Sequence, residues 1–111
     1  MPVETKQVSP GTVVVSVSGR LVLGREVERL ESVVKNLVEE TQGLVVFDLT
    51  GLDYADSAGI GTFVACLTLI KKAGGEMRMA GVNARVRKLF QLTGIDNLMA
   101  LFPTVAEATG Q

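Results

Sequence analysis

The order of apolar patterns along this chain predicts an α/β fold on a mixed, mostly parallel sheet. Three observations carry that expectation. Short β-branched runs alternate with segments whose apolar residues recur at steps of three and four. Gly, Asn, Asp or Ser stands at nearly every changeover. The resulting order, β-β-α-β-α-β-α-β-α, requires right-handed crossovers between parallel strands, with an antiparallel first strand at one edge.

Val3 to Val8 reads as a weak, mostly polar strand, and Ser9-Pro10-Gly11 as a turn. Thr12 to Ser18 is a strong β-branched strand ended by Gly19, so the two strands form a hairpin. From Gly24 to Thr41, Val27, Leu30, Val34, Leu37 and Val38 make one buried helical stripe, with Glu28, Glu31, Lys35 and Glu39 on the wet side. Gly43 closes that helix, and Leu44 to Leu49 reads as a buried strand.

The second helix runs from Ser57 to Ala73, with Phe63, Val64, Leu67 and Ile70 at helical spacing, and Gly74-Gly75 ends it. Glu76 to Ala80 is a short strand. Asn83 caps a third helix that buries Val86, Leu89, Phe90 and Leu92 and stops at Gly94. Asn97 to Phe102 is a last strand, and Thr104-Val105-Ala106-Glu107 is a capping box that opens a short helix.

Composition narrows the function. The 111 residues are enough for one core and not for two. Apolar residues make up 47% and charged residues 21%, an ordinary globular balance. The net charge of −1 gives no reason to expect a nucleic-acid partner. Charge is uneven: residues 1–70 hold five Lys/Arg against nine Asp/Glu, and residues 71–111 hold six against three. Without histidine there is no Ser-His-Asp or Cys-His arrangement within the chain. The lone Cys66, in an apolar helical stretch, allows no internal disulfide or Cys/His zinc site and reads as a buried small side chain. Residues 1–6 lack the pattern of a secretory signal. The longest uncharged run, Ser57 to Ile70, has 14 residues, short of the roughly 20 that a membrane span needs. A cytoplasmic location without membrane insertion is the expectation.

In a parallel α/β sheet, ligands and partners meet the carboxyl ends of the strands. That edge gathers Gly19-Arg20-Leu21, the loop Thr50 to Asp56, and Gly81-Val82-Asn83, with Ser57 among them. At the expected N-cap of the second helix, Ser57 suits a structural cap, a nucleophile or a phosphorylation target. Asp48, Asp53 and Asp56 fit no metal-loop template and read as solvated carboxylates, with Asp56 able to cap or orient the turn. Gly59 and Gly61 each cost about 1 kcal/mol relative to alanine inside a helix. Close approach of a partner or ligand and tight packing on the sheet explain them equally well. Arg85, Arg87 and Lys88 crowd the start of the third helix, either as a solvated face or as a basic rim for an acidic partner or a phosphate. Residues 19–25 lack the lysine and hydroxyl of a phosphate loop, and residues 55–59 lack the first glycine of a nucleophile elbow.

The segment Asp48-Leu49-Thr50-Gly51-Leu52-Asp53-Tyr54-Ala55-Asp56-Ser57-Ala58-Gly59-Ile60-Gly61 resembles the central motif of the STAS-domain family, specifically its bacterial anti-sigma factor antagonists. Residues 71–77 and 83–94 resemble the family's segment after the motif helix and its third-helix segment. One departure stands out: Gly19-Arg20-Leu21-Val22 lies where the family often shows Gly-Glu-Leu-Asp.

The resemblance implies one STAS domain over residues 1–111, with a four- to five-stranded sheet and about four helices largely on one side. It implies a non-enzymatic switch without a cofactor of its own. The unmodified chain would bind an anti-sigma factor, a serine kinase of the histidine-kinase-like ATPase fold, and so release a sigma factor. That kinase would phosphorylate Ser57, and a phosphoserine phosphatase would reverse it. The implied partner surface comprises Asp56, Ser57, Ala58, Gly59, Ile60 and Gly61 with Arg20, Asn83 and Arg85. The alternative is a scaffold or accessory module of a stress-signalling assembly or of a lipid or anion transporter.

Overall fold

The computed structural model describes residues 3–40 and 43–110. Strands β1 (Val3–Ser9) and β2 (Thr12–Val17) form the expected antiparallel hairpin, with a register shift between Gln7 and Ser9. Then follow β3 (Gly19–Leu21), α1 (Arg25–Glu40), β4 (Leu44–Asp48), β5 (Leu52–Ala55), α2 (Ser57–Lys72) and β6 (Glu76–Ala80). The chain continues through α3 (Ala84–Thr93), a 3-10 turn (Ile95–Asn97), β7 (Ala100–Phe102) and α4 (Val105–Thr109). The sheet runs β1-β2-β4-β6-β7, parallel from β2 onward, as the alternation of strands and helices predicts.

Strand alternation sends its residues to two unequal cores. Val13, Val15, Val45, Phe47, Met77 and Met79 face the main core with residues of α1, α2 and α3. Phe63 of α2 joins the layers through edge-to-face contacts, 5.9 Å from Phe47 and 5.8 Å from Phe90 between ring centroids. On the other face Val14, Val46 and Ala80 are covered by Ala108 of α4, with Phe102 and Val105 alongside. Arg78 secures that short helix by donating from Nη1 to the Ala108 carbonyl at 2.8 Å, where a cation complements the helix C-terminus.

Four local expectations change. Residues 19–21 and 52–55, read as loops, form a second parallel ladder outside the main sheet. Runs this short show no period to detect. Leu92 is not core; it stands 74% exposed on the outer face of α3, and Leu89, also expected inside, is only half-buried. Glu31, placed on the wet side of α1, is half-buried against α2, where the Thr62 hydroxyl approaches its Oε1 at 3.4 Å. The last strand is only Ala100–Phe102, because Gly94 in the left-handed region turns the chain into the 3-10 segment first. The expected end of α1 at Thr41 lies outside the described residues.

Candidate functional site

The three carboxyl-edge segments are joined by hydrogen bonds. Asp48 Oδ1 accepts from Thr50 N–H at 3.1 Å and from the Thr50 hydroxyl at 2.6 Å, closing the turn after β4. Gly19 N–H donates to Gly51 O at 2.9 Å, and Asp56 N–H donates to Leu21 O at 3.2 Å. Asn83 Nδ2 donates to Leu52 O at 3.2 Å, while its Oδ1 accepts from Val86 N–H at 2.8 Å and so caps α3 as expected. Gly81, in the left-handed region at φ +80°, lies so near Thr50 that a side chain there would strike the hydroxyl.

The residue that caps α2 is Asp56, not Ser57. Asp56 has extended backbone, and its Oδ1 accepts from Gly59 N–H at 2.8 Å. Its other oxygen, Oδ2, accepts from Leu23 N–H at 3.0 Å. The Leu23 amide, and after it the Gly59 amide, hold this carboxyl below its ordinary pKa of 3.8. Asp56 thus caps and orients the turn, the role the sequence allowed it, rather than standing as a freely solvated carboxylate. Ser57 moves one place on, to the first helical position, where it is exposed. Serine and aspartate cap about equally well, but a carboxylate has one oxygen for the Gly59 amide and a second for the Leu23 amide, which explains the order.

The two motif glycines separate. Gly59 is buried, and a Cβ there would run into the Leu21 carbonyl oxygen and lie 3.2 Å from the Ala55 methyl, so close packing accounts for it. Gly61 is exposed, and a Cβ there would meet nothing within 4 Å. Ala58 is half-buried and Ile60 is 9% exposed, so neither offers much surface as the helix stands.

Arg20 and Arg85 converge on a residue that sequence reasoning passed over. The Arg20 guanidinium carbon lies 4.8 Å from the centre of the Tyr54 ring, and Arg85 lines a hollow with Tyr54, Lys88, Leu89 and Leu92. Tyr54 gave no separate signal because it reads as one more loop residue of the motif. Leu23, 78% exposed and tied by its amide to Asp56, was missed because it belongs to no motif and no periodic run.

Cys66 is buried as expected, and burial, helped by Glu31, pushes its thiol up to about 12. Among the described residues no group of three or more His, Cys, Asp or Glu could hold a metal ion, and no helix is long and apolar enough to cross a membrane.

The sequence pattern described as STAS domain matches residues 5–108. The chain belongs to the STAS-domain family. Among curated relatives it is similar to the anti-sigma-B factor antagonist of Staphylococcus aureus. The two are 32% identical over 73 residues, which span 66% of this chain and 68% of that protein.

The STAS fold is equally clear in solved structures. The Bacillus cell fate determinant SpoIIAA in its phosphorylated form superposes with a TM-score of 0.75 at 21% identity, covering 98% of this chain and 97% of its own. A sulfate transporter family protein from Wolinella succinogenes gives 0.81 at 20% identity, covering 93% and 85%. At these identities the structural likeness speaks for the fold alone.

Proposed function

We propose that this STAS domain is an anti-sigma factor antagonist that binds an anti-sigma serine kinase and is switched off by phosphorylation of Ser57. The kinship with the Staphylococcus aureus antagonist supports the class of function. The observation that carries the switch is the division of labour at the start of α2: Asp56 caps the helix, which leaves the exposed Ser57 hydroxyl for other chemistry.

The physics of the modified state agrees. A phosphate brings about −1.5 to −2 charges and three acceptor oxygens. At a helix N-terminus the macrodipole tolerates that charge, and the cap on Asp56 is untouched, so the fold survives. An approaching partner, however, must desolvate the phosphate beside a carboxylate already fixed by two backbone amides. Partner affinity falls while the domain stays folded. The ATP belongs to the kinase, so the chain needs no cofactor, and a phosphoserine phosphatase restores binding in the cytoplasm.

The decisive experiment incubates the protein with each candidate anti-sigma kinase of its source and ATP. One phosphate should appear, on Ser57, and Ser57→Asp should bind the kinase much more weakly than Ser57→Ala. Absence of transfer and of binding for every such kinase would overturn this reading in favour of an accessory module of a transporter or stress assembly.

A further inference from the structure

Tyr54, Arg85, Lys88, Leu89 and Leu92 enclose an open trough of about 230 Å³ between β5 and α3. Its walls are almost wholly carbon, including the aliphatic stems of Arg85 and Lys88. An isolated exposed leucine needs no explanation, but Leu92 is continuous with Tyr54 and Leu89 in one apolar surface.

Two cations, Arg85 and Lys88, line this surface, and a third, Arg20, stands on its Tyr54 ring. Arg20 stacks on the Tyr54 ring, which fixes both groups without neutralising the charge. Arg85 and Lys88 are exposed on α3. Among the described residues the one ion pair joins Arg78 to Glu76, so none of the three cations is matched by a carboxylate.

Size selects the occupant. Small-molecule sites run to roughly 300–1,000 Å³ and enclose most of their ligand. This trough, at about 230 Å³, is smaller, so it suits single side chains of a protein partner better than a whole small molecule. Its residue types agree, since Tyr and Arg carry much of the binding energy of protein interfaces. Unmatched positive charge around an apolar floor complements an apolar side chain flanked by carboxylates.

We propose that this trough docks an acidic, amphipathic segment of a protein partner. An apolar side chain packs on Tyr54, Leu89 and Leu92, and neighbouring carboxylates reach Arg20, Arg85 and Lys88. This deepens the partner-switching reading and rests on it only in taking the partner to be the anti-sigma factor. It also gives Ser57 a second way to act. Ser57 stands three positions after Tyr54, at most about 11 Å of chain, which is comparable to the Debye length of about 8–10 Å. A phosphate there repels an acidic segment entering the trough.

The test titrates the isotope-labelled full chain with a short leucine–glutamate peptide and with its leucine–lysine counterpart. The acidic peptide should shift the amide resonances of Tyr54, Leu89 and Leu92, and the basic one should not. Arg85 and Lys88 are exposed, so the double variant Arg85→Glu/Lys88→Glu should keep a native spectrum. It should bind the acidic peptide about tenfold more weakly, or ~1.4 kcal/mol. Equal shifts with both peptides, shifts confined to other surfaces, or none would overturn the trough. Mixing the same proteins with the anti-sigma kinase separates the two ideas. Peptide selectivity without kinase binding keeps the trough and overturns the anti-sigma reading; kinase binding without peptide selectivity does the reverse.

Discussion

The carboxylate of Asp56 accepts the backbone N–H of Leu23 at 3.0 Å, across 33 positions of sequence. That bond ties the chain leaving β3 to the first turn of α2, which the other oxygen of the same carboxylate caps through Gly59. One side chain thus sets the start of the motif helix relative to the neighbouring loop, and Ser57 is carried by this frame without building it.

Ser57→Ala should therefore be nearly neutral for folding, within about 0.5 kcal/mol, as for exposed positions without a special role. Asp56→Ala should lower the melting temperature by clearly more, since it removes a cap and a loop tie together. Asp56→Asn keeps one good acceptor for Gly59 and can no longer serve Leu23 equally. Thermal melts rank the three variants, and amide exchange at Leu23 should accelerate in Asp56→Asn.

Acid should act on the same frame. The folded pKa of Asp56 lies below 3.8 because the Leu23 and Gly59 amides favour the ionised form. The unfolded chain thus takes up the proton first. The stability that this carboxylate contributes is complete above 3.8 and is lost as pH falls through the lowered folded value. A carboxyl titration followed by NMR should place the Asp56 midpoint below 3.8, and Asp56→Asn should flatten the acid limb of the stability curve.

Cys66 predicts the opposite limb. Its thiol, raised from 9.0 to about 12 by burial first and Glu31 second, stays protonated in the fold while the unfolded chain ionises near 9. Its contribution to stability is complete below 9 and declines as pH rises from 9 toward 12. Native protein at pH 8 should react with a thiol reagent only as fast as it opens, and denaturant should make the reaction immediate. Cys66→Ala should remove this part of the alkaline slope.

The elements with strong periods were legible in the sequence: the β-branched run of β2, the stripe of α1, and the helices closed by Gly94 and capped by Asn83 and Thr104. What escaped was settled by contacts distant in sequence. Nothing near residues 19–21 announces that they pair with residues 52–55, and Ser57 and Asp56 are both good caps until the Leu23 amide favours the carboxylate. Leu92 follows Leu89 by one helical step of three, but it lies almost opposite the buried Phe90 on the helix, which leaves it outside. The gathering of Arg20, Asn83 and the motif at one edge followed from topology alone. Tyr54, as the ring under Arg20 and one wall of the trough lined by Arg85, did not.

The glycine pair gives the sharpest contrast, because the sequence treats Gly59 and Gly61 alike. Gly59→Ala places a methyl against the Leu21 carbonyl, which is held by its own bond from Asp56 N–H and has little freedom to retreat. The cost should be about 1–3 kcal/mol, typical of overpacking. Gly61→Ala meets nothing and gains helix propensity, so it should stabilise by up to about 1 kcal/mol. Its effect on binding then tests the proposed partner surface. If a partner's backbone comes close at Gly61, the alanine variant should bind the anti-sigma kinase more weakly while melting higher. A variant that is more stable and binds equally well would show that no partner reaches that turn of α2, and Gly61 would drop out of the interface.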